Sequence, residues 1–455
     1  MPRAVDGVVA FRVGAVQCRR RLRGRRTRQS ATAGYHPQRL GDETPLRWLS
    51  IRMDKFLAAL RMAAELHASD QSARAPEAEK PWMSRPLPTA IIGPVMEAIN
   101  SVPDILALTR LRQVAVGSGE GKQIHSIFLA SALVKRTHTL GDATQALAEL
   151  RNLVETNKGK ARVVMVLAGV QTREPVELAE AVHLVPFEQL QPPSWIKRFG
   201  ETAAWPLDRR FQPVRPSAAL VMSIEFSPVF VSESIDDELP EKELEQLRAI
   251  VNCIALVGEC TTLTIMVFYE NDDPRLPLIS SGVTFTDPDW GTKAVTAHSI
   301  DAQRVRAVLT SYKSFAGDRR PLDMAMTRLS DARGGWHREE RAIDLGISLE
   351  AMLMYEPGRR AGDTAEISYK LRSRAARLVG ANPALRRDVF RQVGQLYDYR
   401  SQAAHSGSVR TKPETWRALD EEIDAGTALA SNLLLALLKR GRWPDWNDLV
   451  LGGEG

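Results

Sequence analysis

Cysteine is scarce: the 455 residues hold only Cys18, Cys253 and Cys260. No two of them stand in a CxxC spacing, which argues against a zinc ribbon or a disulfide framework and fits a reducing cytoplasm. The eight histidines are scattered, with no pair at a metal-ligand spacing, so neither a metal nor another cofactor is expected. Long apolar runs are missing as well. The longest uncharged apolar run near the C-terminus, Leu433 to Leu438, falls far short of the ~20 residues a bilayer-spanning helix needs. No membrane partner is expected. The chain also has no G-x-S-x-G elbow, no H-E-x-x-H and no G-x-G-x-x-G. Gly117-Ser118-Gly119-Glu120-Gly121-Lys122 superficially suggests a phosphate loop. However, Val116 stands where the leading glycine belongs and Gln123 where a magnesium-binding hydroxyl belongs. A surface turn is the expectation there.

What is present is the composition of an ordinary globular protein, 44% apolar and 25% charged, at a length that suggests two or three domains. The net charge of +6 is unevenly spread. Residues 1–30 hold nine Arg against one Asp, residues 298–440 hold 24 Lys/Arg against 18 Asp/Glu, and residues 441–455 hold one Arg against three acids. The stretch 31–297 is therefore net acidic. A basic arm and a basic C-terminal region favour a polyanionic partner such as nucleic acid. The arm's cluster, Arg19-Arg20-Arg21-Leu22-Arg23-Gly24-Arg25-Arg26-Thr27-Arg28, follows its weakly apolar stretch, the reverse of a secretion signal. Segment 1–52 has little apolar surface to offset ordering entropy and reads as a disordered arm, with Met53 as an alternative translation start.

From Met53 to about Leu153 the spacing is mostly helical, with Pro-rich punctuation at 76–88. Asp142 is placed to cap an amphipathic helix carrying Ala143, Leu147, Leu150 and Val154 on one face. Strand-like segments follow at 161–167, 218–226, 261–269 and 283–286, with a helix over 241–257 between the second and third. After Ile300 the strand signal vanishes. Helices are expected at roughly 301–315, 322–333, 338–354, 364–380, 383–405 and 414–440, separated by short Gly, Pro or Asp breaks. The fold class is thus α+β: a mixed α/β region over 53–297, then an all-α bundle over 298–441 and a tail over 442–455. Strands should be confined to about 160–290.

The helix over 383–405 carries Leu385, Val389, Val393, Leu396, Arg400 and Ala403 at helical spacing, an apolar seam with an arginine inside it. A guanidinium in such a seam needs a partner, an exit to solvent or a polyanionic ligand. His405 follows, then Ser406-Gly407, a helix stop. Residues i and i+5 lie about 140° apart on a helix, so Arg400 and His405 meet only if Arg400 extends or the helix unwinds.

The run Leu396-Tyr397-Asp398-Tyr399-Arg400-Ser401-Gln402-Ala403-Ala404-His405-Ser406-Gly407 resembles the motif of ApeA-like HEPN domains, an Arg, four to six residues, then a His near the end of a bundle helix. The resemblance covers about 300–440, including Leu349-Glu350-Ala351-Met352-Leu353 and the Arg- and Ala-bearing helix over 371–378. It implies a HEPN-type bundle and a metal-independent endoribonuclease of prokaryotic antiviral defence or toxin type, active as a homodimer. The chemistry suits the residues. The RNA 2′-hydroxyl attacks the adjacent phosphate, a histidine titrating near neutrality moves the proton, and a guanidinium fork neutralises the phosphorane. A twofold dimer would supply two His405 and two Arg400, one set for each side of the displacement. Tyr397 and Tyr399 are candidates to stack an unpaired base, although tyrosines on such a helix are more often seam residues, and Ser401 is a further RNA-binding candidate. Ser401 stands where active members often have Asn, Asp or His. The alternative implied by the same family is a catalytically silent dimerisation or RNA-binding module. Region 53–297 would then be a sensor or regulator. A regulator binding nucleic acid through the arm alone is the more distant option.

Overall fold

Helical spacing upstream of residue 153 becomes five helices in the computed structural model, which describes residues 46–73, 86–114, 121–190, 215–232, 241–258, 260–271, 273, 275, 283–285, 297–335, 337–357, 366–409 and 416–453. They are α1 (Leu46–Ala73), α2 (Thr89–Ser101), α3 (Pro103–Leu108), α4 (Ser126–Leu140) and α5 (Ala143–Thr156). Phe56, Leu60, Ile92, Ile99, Leu129 and Leu153 are among the buried residues of their common core. Asp142 caps α5 as expected, its carboxylate accepting the Thr144 N–H at 2.7 Å. α1 begins at Leu46 and runs unbroken through Met53, so residues 46–52 belong to a helix and not to the arm. The remainder of the arm, 1–45, lies outside the described residues, as do residues 115–120 of the Gly-rich segment.

The first sheet, β1 (Arg112–Val114) with β2 (Gly121–Gln123), therefore contains Gly121 and Lys122 of that segment. It lies upstream of the range in which strands were expected. Three-residue ladders carry no readable alternation, and β1 is completed by β8 (Phe230–Val231), more than a hundred residues away. The main sheet comprises β3 (Gly159–Ala168), β5 (Val176–Ala179), β6 (Val182–Pro186), β7 (Ala218–Phe226), β9 (Leu263–Asn271) and β10 (Val283–Phe285). Its order is β10-β9-β3-β7-β6-β5, antiparallel throughout. The four strand-like segments of the sequence are all here, while β5 and β6 were missed. A second short pair has one strand outside the expected range: β4 (Val170–Gln171), within it, runs parallel to β11 (His298–Ser299), just beyond its end.

β3 is buried from Val163 through Ala168, so both faces of the sheet are covered. Val164 and Val166 meet Ile265 and Phe268 on one side. Val163, Met165 and Leu167 face the other, in a core that includes Leu247 and Ile254 of α6 (Glu241–Gly258). That core continues without a break into the C-terminal helices: α7 (Ala302–Lys313), α8 (Arg320–Gly334), α9 (Arg338–Leu353), α10 (Ile367–Val379), α11 (Pro383–Ser406), α12 (Trp416–Arg440) and α13 (Trp446–Leu451). The six expected helices are present within two or three residues of their expected ends. The segment assigned as a tail is not one: Trp443, Trp446 and Leu449 are buried in the bundle core. Likewise, the boundary drawn at 297/298 falls inside a continuous core. Arg333 of α8, itself buried, ties the two parts together by donating to the Ala255 carbonyl of α6 and to Ser431 Oγ of α12.

Apart from isolated bridges, no strand occurs among the described residues of 302–453. The α+β class therefore stands, with the sheet ahead of the helical bundle. Among the described residues no helix is long and apolar enough to cross a membrane.

Candidate functional site

α9 is the central helix of the bundle, in contact with α8, α10, α11 and α12. Buried Arg341 anchors it, donating to the Ala332 carbonyl at 2.7 Å and pairing with Asp420 and Asp424 of α12. One turn further on, Gly346 opens a notch facing α11. A Cβ placed on Gly346 would stand 2.3 Å from Arg400 Cγ, so the glycine is the space into which the Arg400 chain fits. Another turn along, Glu350 presents its carboxylate to Arg400 Nη2 at 3.3 Å. Gly346 and Glu350 are four residues apart and share one face of α9.

This answers the question posed by an arginine in an apolar seam. Arg400 has both a partner and an exit, its side chain remaining 27% exposed. Its Nε is buried without a hydrogen-bond partner, and its guanidinium carbon lies 5.7 Å from the centre of the Tyr397 ring, three residues back on α11. Burial, then the Glu350 carboxylate, raise the Tyr397 phenol above its ordinary value, with the Arg400 charge acting in the opposite sense. Arg400, Tyr397 and Glu350 thus form one cluster.

Tyr399 points elsewhere, since residues two apart on a helix lie about 200° apart. Its hydroxyl accepts from Gln395 Nε2 at 2.7 Å and donates to Glu422 of α12. Burial and that carboxylate raise its pKa. Both tyrosines are half-buried against the bundle core, which gives them the packing role of seam residues. Ser401 is half-buried.

α11 does not unwind near its end. It remains helical through Ser406 and stops at Gly407, whose φ of 65° places it in the left-handed region. His405 is exposed in the last turn and has no hydrogen-bond partner among the described residues. Within one chain the structure joins Arg400 to Glu350 and Tyr397, and leaves His405 to solvent on another side of the helix. Gly346 and Glu350 were not singled out from sequence as partners of Arg400. Their spacing of four was visible, but which helix would face Arg400 was not. Among the described residues no group of three or more His, Cys, Asp or Glu side chains is placed to hold a metal ion. No protein-family model matches the chain, and neither the curated proteins nor the solved structures compared with it give a match.

Proposed function

We propose that the chain is an endoribonuclease related to the ApeA-like HEPN domains, acting in the cytoplasm as a homodimer on single-stranded RNA, in antiviral defence or as a toxin. The observation that carries this reading is the pairing, on the last two turns of one helix, of a held arginine with a solvent-exposed histidine. Arg400 is aimed by the Gly346 notch. A single carboxylate at 3.3 Å occupies only part of a five-donor guanidinium. A partly exposed pair of this kind contributes about 0–1 kcal/mol, so a phosphate can replace Glu350 at small cost. The phosphate's non-bridging oxygens would then receive the guanidinium fork as charge builds on the phosphorane. His405, free in solvent, would take the proton from the 2′-hydroxyl or give one to the departing 5′-oxygen. The angular separation of about 140° on α11 is the reason a second copy is invoked, so that His405 of one protomer works beside Arg400 of the other.

One observation favours a second reading. The Gly346 notch and Glu350 also suffice to make Arg400 a clasp between α9 and α11, which is what a silent dimerisation or RNA-binding module would keep. The experiment that separates them is cleavage of an unstructured RNA in EDTA by the parent protein and by His405→Ala. We expect the parent to leave a 2′,3′-cyclic phosphate and a 5′-hydroxyl, and the variant to lose about 10²–10⁴-fold in rate with its melting temperature unchanged. Cleavage persisting in His405→Ala, or absent from the parent, would leave the clasp reading.

A further inference from the structure

The hairpin formed by α10 and the first half of α11 is strongly basic. Residues 367–393 hold seven Lys/Arg against one Asp, a surplus equal to the net charge of the whole chain. Four of its six arginines are also treated differently from others in the bundle. Arg328 pairs with Asp344 and Arg338 with Asp420, and within the hairpin Arg374 pairs with Glu356 and Arg391 with Asp388. By contrast, Arg372, Arg377, Arg386 and Arg387 have no carboxylate partner among the described residues.

Aromatic rings stand among these charges. The Arg372 guanidinium lies 4.1 Å from the centre of the Phe390 ring, and its Nε donates to the Phe390 carbonyl at 3.1 Å. Gly394 makes room for it: a Cβ there would be 2.8 Å from Arg372 Nε. Tyr369 meets the same ring edge-on at 6.1 Å between centroids, yet is 58% exposed. A large aromatic left that open beside a fixed guanidinium offers a π-face to a ligand that also carries negative charge. Arg386 and Arg387, four and three residues before Phe390, flank that platform by helical spacing.

We infer that the α10–α11 hairpin is a docking surface for single-stranded RNA, stacking a base on Tyr369 and Phe390 and holding flanking phosphates with Arg372, Arg386 and Arg387. Alternating phosphate charge and flat bases is the ligand chemistry that matches alternating guanidinium and ring. The direction of the strand rests on the proposed cleavage reading. Arg387 and His405 are 18 residues apart, five whole turns, so they lie on one line of α11 about 27 Å apart. Asp398 stands close to that line, while Asp388 is held by Arg391. A strand gripped at the hairpin would run along α11 to the histidine.

Binding can be read apart from cleavage with a fluorescein-labelled 2′-O-methyl oligouridine, whose blocked hydroxyl removes the nucleophile. Anisotropy titrations of the full chain should show binding that weakens with salt. Tyr369→Ala should weaken it roughly five- to a hundredfold, the cost of one stacked base. Arg387→Glu should weaken it at least about tenfold and make the logarithmic salt slope shallower by about one, the signature of a lost phosphate contact. Both positions are exposed, and unchanged melting temperatures confirm that neither variant acts through the fold. The inference is overturned if the parent does not bind, if both variants bind like the parent, or if a duplex of the same strand binds as tightly. Displacement by polyglutamate at matched charge would also overturn it, pointing to an acidic protein instead. Binding that depends on Tyr369 and Arg387 in a protein that cuts no RNA would leave the docking surface standing and remove the cleavage reading.

Discussion

At Arg400 the seam position, the charge and the proximity of His405 are all visible in the sequence, and they state a problem without its solution. The solution is the Gly346 notch with Glu350 beyond it, and it depends on which face of α9 turns toward α11. Two substitutions test whether this environment serves chemistry or only packing. Gly346→Ala would place a methyl against the Cγ of Arg400, close to the backbone where the side chain cannot swing away. Overpacking of that kind costs about 1–3 kcal/mol, and it should also move the guanidinium and depress RNA cleavage beyond what the loss of stability explains. Thermal melts together with rates at saturating protein would check this. Arg400→Lys keeps the charge and most of the aliphatic stem. It should melt close to the parent but lose cleavage, because a point ammonium cannot reproduce the bidentate fork. A lysine variant that cuts RNA normally would assign Arg400 to packing.

Helices were the most legible elements, since their ends are written in local chemistry. Asn382 caps α11, its side-chain carbonyl accepting from the Ala384 and Leu385 N–H groups at 3.0 Å, with Pro383 at the first helical position. Gly407 ends the same helix in the left-handed region. Gly407→Ala should cost about 1 kcal/mol and loosen the turn that carries His405. Amide exchange over 403–407 should rise, while exchange in the middle of α11 stays slow. The short strands were illegible for the opposite reason. β1, β2, β4 and β11 are two or three residues long, and their pairing partners are chosen by the path of the chain rather than by alternation. α13 was missed because a six-residue helix has too little periodicity to register. Its tryptophans, at 443 just before it and at 446, are the signal that could have found it, being too large to leave outside a core.

Across the whole molecule, the N-terminal helices, the sheet and the bundle are joined by a few buried polar groups. Asp273, 1% exposed, accepts from the Lys160 N–H of β3 and pairs with Arg275 at 2.6 Å, while Arg275 also reaches the Lys158 carbonyl between α5 and β3. Burial pushes the Asp273 carboxyl up, but the hydrogen bonds and charge of Arg275 outweigh it and hold the group below its ordinary value. A carboxyl depressed in the folded state stabilises fully above its unfolded pKa of about 3.9, and that contribution fades as pH falls toward the folded value. Asp273→Asn should therefore be less stable than the parent at pH 7, with the difference shrinking below about pH 4. Urea melts at both pH values would show it, and a gap that persists in acid would mean that the pair contributes through packing alone.

What the sequence determined by itself about this protein is the α+β class, the helical order after residue 300, the caps and the Arg400–His405 spacing. Periodicity and capping act within a few residues, so one strand of text contains them. Only the tertiary structure decided that the sheet and the bundle share a core, that Gly346 and Glu350 receive Arg400, and that Tyr397 and Tyr399 pack inward. It also set Tyr369 and Phe390 beside arginines that have no carboxylate partner among the described residues. Each of these depends on which faces of distant segments meet, a choice made by burying the largest apolar area across the whole chain.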